Sequence, residues 1–384
     1  MPRVNGEKSL RVLLVGPSPP PYGGMALQAR QLKRRLEGDG NTVDFVPSNF
    51  PFPRPAQWVG RVPALRTLGR AVLIWFELRR RVPAVDVVHI LAASWLYFFV
   101  VVCPGILMSR WCGKRVVLNY RGGEAARFFR WWGWLIKPVF RLASVVTAPS
   151  EFLMETIQKR FHIPVRIVPN VLDLDAFAWR ERPALTPKLL ATRHLEEIYD
   201  IGTVLRAFRL VQQQYAEASL WIAGTGSQEK YLRGLVSEWN LENVRFLGYI
   251  EHQDLPAICG QRDIYINASR VDNFPGALLE ASGAGLAVVS TDAGGIPYVY
   301  RHRGNALLVP VGDSAALAKA VVNVLQDPSL ARQLITEAVN LARSCTWSEV
   351  RKSLYAAYGF GAGAEYEHTA AERCSLASSG REAV

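Results

Sequence analysis

Short apolar runs of strand length alternate with stretches of helix length along nearly the whole chain, and they do so in two successive series. The first set of runs is 10–15, 42–46, 85–90, 115–119, 144–147 and 165–168; the second is 188–191, 219–223, 244–247, 263–267, 287–290 and 306–309. Parallel strands need a crossover of a dozen or more residues, usually a helix, and most of these runs are separated by that much chain. Helical periodicity is plain at 25–36, 204–215, 229–239, 277–284 and 315–325. The pattern predicts an α/β fold of two doubly wound, Rossmann-like halves, each with its own βαβ series. The irregular stretch 169–187 divides them. We therefore expect a first domain over 1–169 and a second over 170–346. A terminal helix within 347–360 has an apolar face free to pack on either half, the first domain included. The tail, 361–384, loses periodicity and reads as disordered.

Composition matters where it excludes alternatives. With 49% hydrophobic and 20% charged residues over 384 positions, collagen-like and coiled-coil chains are ruled out. The five cysteines (Cys103, Cys112, Cys259, Cys345 and Cys374) show no C-x-x-C spacing, which argues against a disulfide framework and for a reducing cytoplasm. The N-terminus carries an acid and runs straight into a strand, so it does not read as a signal peptide. Stretch 91–108 is almost wholly apolar. It contains Ser94 and is interrupted by Pro104-Gly105, and it lies between two strands, so a buried crossover helix fits it better than a membrane span.

Charge is distributed unevenly. Residues 1–168 hold 25 Lys/Arg against 9 Asp/Glu, whereas 169–384 hold 20 against 24. A basic first half points to an anionic partner. Two segments carry the excess. In 54–81, Arg54, Arg61, Arg66, Arg70 and the Arg79–Arg81 run interleave with Trp58, Trp75 and Phe76. In 127–141, Arg127, Arg130, Lys137 and Arg141 interleave with Phe128, Phe129, Trp131, Trp132, Trp134 and Phe140. Aromatic rings sit well at the headgroup level while cations attract anionic lipid, so an anionic membrane surface is the expected partner; the same pattern also fits solvated basic faces on core-packed helices. Nucleic acid is not expected as a partner.

The densest chemistry lies at 269–297. A strand ends near Asn267, a loop carries Asp272-Asn273-Phe274-Pro275, and a helix begins at Gly276-Ala277. A helix N-terminus offers unpaired amides to an anion, and Gly276 permits close approach. Glu280, one turn in, is placed to accept from vicinal hydroxyls; Asp272 is placed to meet a sugar. Taken singly, each carboxylate also fits an ordinary surface acid. In the same way Gly224-x-Gly226 after a strand, Gly23-Gly24 before a helix, and a lone Arg193 each fit a turn or a surface cation. Gly224 and Gly226 lack the third glycine of a dinucleotide fingerprint, which weakens a hydride-transfer reading.

Together, in this order, these residues resemble family 4 of the retaining nucleotide-sugar glycosyltransferases, which have the GT-B fold of two Rossmann-like domains facing across a cleft. The signature is two acids eight apart with Phe-Pro between them and a Gly-Gly-x-Pro turn downstream: here Asp272, Phe274, Pro275, Glu280, then Gly294-Gly295-Ile-Pro297. The resemblance implies that Glu280 holds the donor ribose and Asp272, shortened from Glu, contacts the donor sugar. It implies further that Arg193 neutralises the leaving diphosphate and that Gly23 and Gly24 lie over that diphosphate. Gly224, Gly226, Tyr249 and Ile250 would then belong to the base-binding part. Three departures stand out. Glu197-Ile-Tyr199-Asp200 supplies no Lys after Arg193, Arg121 stands where a His is common, and Tyr298 replaces a common Glu. Arg121 then meets a sugar hydroxyl or carboxylate, helps hold the diphosphate, or is structural.

Asp173-x-Asp175 has a spacing that metal-dependent transferases use, but it sits in the interdomain junction, and no metal or other cofactor is expected. The resemblance thus implies a metal-independent transferase that moves a sugar from a UDP- or GDP-linked donor to a lipid-linked or glycan acceptor. It would work in bacterial cell-surface polysaccharide or glycolipid synthesis, peripherally on the inner face of the cell membrane. The alternative is a nucleotide-sugar-binding protein that has lost turnover and serves as a scaffold.

Overall fold

The computed structural model describes residues 9–20, 23–50, 63–175, 177, 179–180, 182 and 184–360. The first half runs β1 (Arg11–Gly16), α1 (Gly24–Gly38), β2 (Thr42–Pro47), α2 (Pro63–Arg81), β3 (Val87–Ala92), α3 (Cys103–Trp111), β4 (Arg115–Tyr120), α4 (Ala125–Leu142), β5 (Val145–Ala148), α5 (Glu151–Phe161) and β6 (Arg166–Ile167). The second runs β7 (Lys188–Thr192), α6 (Ile201–Gln212), β8 (Ser219–Ala223), α7 (Glu229–Glu238), β9 (Val244–Gly248), α8 (Leu255–Cys259), β10 (Ile264–Asn267), α9 (Gly276–Gly283), β11 (Ala287–Thr291), α10 (Ile296–Val299) and β12 (Leu307–Val309). It closes with α11 (Ser314–Gln326), α12 (Pro328–Ser344) and α13 (Trp347–Tyr358).

Each half builds one six-stranded sheet, ordered β2-β1-β3-β4-β5-β6 and β12-β11-β10-β7-β8-β9. Every pairing is parallel. Helices cover both faces, so central strands read as continuous apolar runs rather than alternating ones: β3, β10 and β11 are buried at every position. Each sheet has a core on either face.

The terminal helix returns to the first half. Trp347, Val350, Leu354, Ala357 and Tyr358 of α13 pack with Leu10, Val12, Leu14, Val87 and Val117. The Tyr358 hydroxyl meets Nδ1 of the buried His89 at 2.9 Å. The chain therefore crosses between the halves twice, and the two crossings are bonded to each other where Leu172 N donates to Cys345 O at 2.9 Å.

Leu91 and Ala92 finish β3, and the crossover helix that follows is one continuous run over 96–111, in which Phe98–Val102 form a π segment and α3 continues from Cys103 with Pro104 just beyond that segment. Phe98, Val102 and Ile106 are buried, while Leu96, Leu107 and Trp111 face out. Among the described residues no helix is long and apolar enough to cross a membrane. Among the described residues, Cys103, Cys112, Cys259 and Cys345 form no disulfide. The expectations for Arg54, Trp58, Arg61, Cys374 and the 361–384 tail fall outside the described residues.

Candidate active site

In an open parallel sheet, ligands bind beyond the carboxyl ends of the strands, where the strand order reverses. The second sheet reverses between β7 and β10, because β8 and β9 lie on one side of β7 and β11 and β12 beyond β10. Arg193 follows the last residue of β7, and Asn267 ends β10. The sequence placed both at strand ends; the crossover brings those ends side by side.

Arg193 Nη2 donates to Asp272 Oδ2 at 2.5 Å and its Nε donates to Asn267 Oδ1 at 3.2 Å. Both charged side chains are nearly buried, at 11% and 10% exposure. Burial works against the guanidinium's charge, but the neighbouring Asp272, with Tyr265 and Tyr199, more than reverses this and leaves Arg193 above its ordinary range. The Tyr199 ring lies against the guanidinium at 5.3 Å, in the segment where the family resemblance expects a Lys. Asn267 is itself fixed: it donates to Ser290 Oγ at 2.9 Å and accepts from Ser269 Oγ at 2.8 Å.

Asp272 also accepts from the backbone N–H of Phe274 at 3.2 Å. The Gly-Gly turn sits directly behind this loop. Gly294 has φ +54° and a Cβ there would lie 2.5 Å from Asp272 O, while one on Gly295 would lie 2.4 Å from Asn273 O. Close backbone approach is thus the physical demand met by these two glycines. Beyond the buried Pro275, α9 opens at Gly276 with no side chain capping its first amides. In contrast, Ser150, Asp200, Asp313 and Asp327 cap α5, α6, α11 and α12. A Cβ on Gly276 would meet nothing within 4 Å, so there is open space beside the first residue of the helix.

Glu280, in the second turn of α9, contacts His252 Nε2 through Oε1 at 3.2 Å. His252 comes from the β9–α8 loop and packs edge-on to Phe177. Sequence reading missed it, because 28 residues separate it from Glu280 and nothing local marks the pair. The bond to Glu280 raises the imidazole above its ordinary 6.5, against burial. A histidine raised in the folded state stabilises most below its unfolded value and loses that contribution as pH climbs through the folded one. His252 is 36% exposed, so the effect is below about 1 kcal/mol. The melting-temperature difference between wild type and His252→Gln should therefore be largest in mild acid and shrink toward pH ~8.5; a difference constant with pH would contradict the pairing.

Gly224 and Gly226 have a structural task. A Cβ on Gly224 (φ +142°) would lie 2.0 Å from Arg193 O, and one on Gly226 2.4 Å from Leu195 O. They let the loop after β8 run against the Arg193 segment, where Arg193 N donates to Ala223 O at 3.1 Å. Tyr249 is exposed and Ile250 half-buried just past β9.

From the first half, Arg121 leaves β4 and bonds Asn119 Oδ1 through Nε at 2.8 Å and Asn170 Oδ1 of the junction through Nη1. Asn273, beside Asp272, donates to Gly122 O at 3.0 Å and to Arg121 O at 3.4 Å. The loop bearing Asp272 therefore touches the loop bearing Arg121. Tyr298 also reaches across, ring to ring with Phe152 at 5.6 Å. Gly23 and Gly24 start α1 with open space around them, and no described contact joins them to Arg193, Asp272 or Arg121. Asp173 and Asp175 pair with Arg35 at 2.9 and 3.3 Å. Among the described residues no three His, Cys, Asp or Glu side chains gather to hold a metal ion.

Two family models match nearly end to end: "Glycosyltransferase Family 4" over residues 22–176 and "Glycosyl transferases group 1" over 179–340. The chain belongs to glycosyltransferase family 4. Its fold is GT-B. This family 4 chain overlays the sucrose-phosphate synthase of Thermosynechococcus elongatus with a TM-score of 0.72 and 18% identity, covering 91% of this chain and 98% of that one. It overlays Anabaena Alr3699/HepE, solved with UDP and glucose, with a TM-score of 0.68 and 17% identity over 90% and 98%. Among curated relatives, a phosphatidyl-myo-inositol mannosyltransferase of Mycobacterium leprae is 29% identical over 201 residues, 50% of this chain and 52% of that protein. The putative colanic acid biosynthesis glycosyltransferase WcaL of Escherichia coli is 26% identical, over 54% and 51%. The chain spans about half the length of these two relatives.

Proposed function

We propose that this family 4 member transfers a sugar, with retention at the anomeric carbon, from a nucleotide-sugar to a lipid-linked or glycan acceptor. The reading rests on one observation: the Arg193–Asp272 pair stands at the strand-order reversal, beside the uncapped start of α9 and against the Arg121 loop of the other half. The UDP and glucose seen in Alr3699/HepE and the mannosyl and colanic-acid relatives support that donor and acceptor class.

In this reading the donor diphosphate lies before the α9 amides, and Glu280 accepts from the ribose hydroxyls. Asp272 and Asn267 fix Arg193 through Nη2 and Nε, so its Nη1 is the nitrogen that no described acceptor takes. As the bond from the sugar's anomeric carbon to the phosphate oxygen breaks, negative charge grows on the diphosphate, where preorganised amides and Nη1 stabilise it. The acceptor hydroxyl attacks on the face the diphosphate leaves, and its proton passes to the departing phosphate oxygen. Asp272 orients the donor sugar.

Incubating the protein with radiolabelled UDP-, GDP- and ADP-sugars and a membrane lipid extract tests the reading. Label should enter the lipid phase; saturable donor binding without transfer would overturn it.

The acceptor class bears on where the enzyme works, and we place it on an anionic bilayer. Leu68, Phe76, Leu107, Trp111, Trp131 and Trp134 are each more than half exposed, all on α2, α3 and α4, interleaved with the arginines of that half. Leu68, Leu107 and Trp111 are additions from the structure, Leu107 lying in the 91–108 stretch that was read as buried. The protein should co-sediment with anionic vesicles at low salt and less at high salt; equal binding to neutral vesicles would count against it.

A further inference from the structure

Two arginines stand where the halves meet, and their charges are treated differently. Arg193 is compensated by Asp272 at 2.5 Å. Arg121 has no carboxylate: its side-chain partners among the described residues are the neutral amide oxygens of Asn119 and Asn170. Those bonds occupy Nε and Nη1 and hold the guanidinium plane, and Nη2 has no described acceptor. Burial pulls Arg121 down to about 10. Its charge reaches into the interior, where His89 is held down at about 3, by burial first and by repulsion from Arg121 second.

A fixed, partly buried guanidinium without a counter-ion is costly, and proteins ordinarily pair such a group or give it an anionic ligand. Among the described residues no carboxylate pairs with its charge, since its two side-chain bonds are to amides. Its place is not incidental. The Asn273 side chain binds the Arg121–Gly122 backbone to the loop carrying Asp272, and Asn273 Oδ1 is itself buried without a partner.

We propose that Arg121 binds an oxyanion of the donor: either the diphosphate, or a carboxylate on the transferred sugar, in which case it selects an acidic sugar. This rests on the nucleotide-sugar reading above. Both groups offer a guanidinium the charge-assisted bond that amides cannot.

The test is calorimetric titration of the full chain and of Arg121→Gln with UDP, UDP-glucose and UDP-glucuronate, or their GDP or ADP counterparts where those bind better. Melting of unliganded Arg121→Gln first checks that it folds. If the oxyanion is the diphosphate, Arg121→Gln weakens all three ligands by about tenfold or more. If it is a sugar carboxylate, wild type prefers the uronate donor by about tenfold, and only that preference vanishes in the variant. Equal binding of every ligand by wild type and variant overturns the proposal. Should Arg121→Gln not fold, Arg121→Met, which keeps the length and drops the charge, is titrated in its place under the same criteria. Failure of wild type to bind any nucleotide or nucleotide-sugar would instead remove the reading on which the proposal stands.

Discussion

Glu280→Ala should lower kcat/KM for the donor by roughly a hundredfold while leaving the fold intact. Glu280 lies in the second turn of α9, half-buried, with Oε1 toward His252 and Oε2 in no described bond. If that carboxylate holds two ribose hydroxyls, each charge-assisted bond contributes about 1.5–3 kcal/mol, and losing them costs about 3 kcal/mol in the bound and transition states together. That corresponds to about two decades in kcat/KM. Stability should barely move, because the side-chain partner lost among the described residues is a 36% exposed imidazole, worth below about 1 kcal/mol. Glu280→Gln keeps one acceptor oxygen and should fall between. Steady-state kinetics with the transferring donor, beside a thermal melt, reads both quantities. A folded alanine variant with wild-type kcat/KM would remove Glu280 from the site.

Arg193→Ala should act on stability as strongly as on turnover. Its removal leaves Asp272, 10% exposed, without a cation, and breaking a buried pair from one side costs about 3–5 kcal/mol. The same substitution empties the face of Tyr199 and releases Asn267 from one of its bonds. Asp272→Ala leaves a lone guanidinium and should destabilise by a similar amount. Replacing both at once, as Arg193→Met with Asp272→Leu, should recover much of the loss, since apolar groups of like size substitute for a buried pair at little cost. Denaturant melts of wild type, Arg193→Met, Asp272→Leu and the double variant close the cycle and give the coupling, expected at about 3 kcal/mol or more. Additive losses would show that the two side chains do not depend on each other. Turnover should stay low in the double variant even where stability returns, because the proposed charge at the leaving diphosphate is gone.

The strands were legible because burial on both faces makes them unbroken apolar runs; β8 spans the same residues in sequence and in structure, and the other eleven differ by one or two at an end. Helices such as α2 and α4 were visible only as basic, aromatic segments, and α12 was missed. The 91–108 stretch was read as a crossover helix and is one from residue 96 on; its first two residues end β3 and it carries a π segment, details that averaged hydropathy does not separate.

For the site, the order Asp272, Phe274-Pro275, Glu280, Gly294-Gly295 was readable because local backbone demands impose it: a loop, an uncapped helix start, and glycines under close approach. The partners were not. Nothing in the spacing pairs Arg193 with Asp272, Glu280 with His252 or Arg121 with Asn170, since each pair joins segments 28 to 79 residues apart. Nor could the amphipathic pattern of α13 say which sheet it would cover, because one apolar stripe fits either.

Periodicity and turn chemistry are properties of a few neighbouring residues, so the amino-acid order alone determined the strands, the two halves and the family signature. Which charges are cancelled is decided by where crossovers bring strand ends together. Only the folded chain therefore distinguished Arg193, neutralised by its own acid, from Arg121, whose charge meets no acid among the described residues.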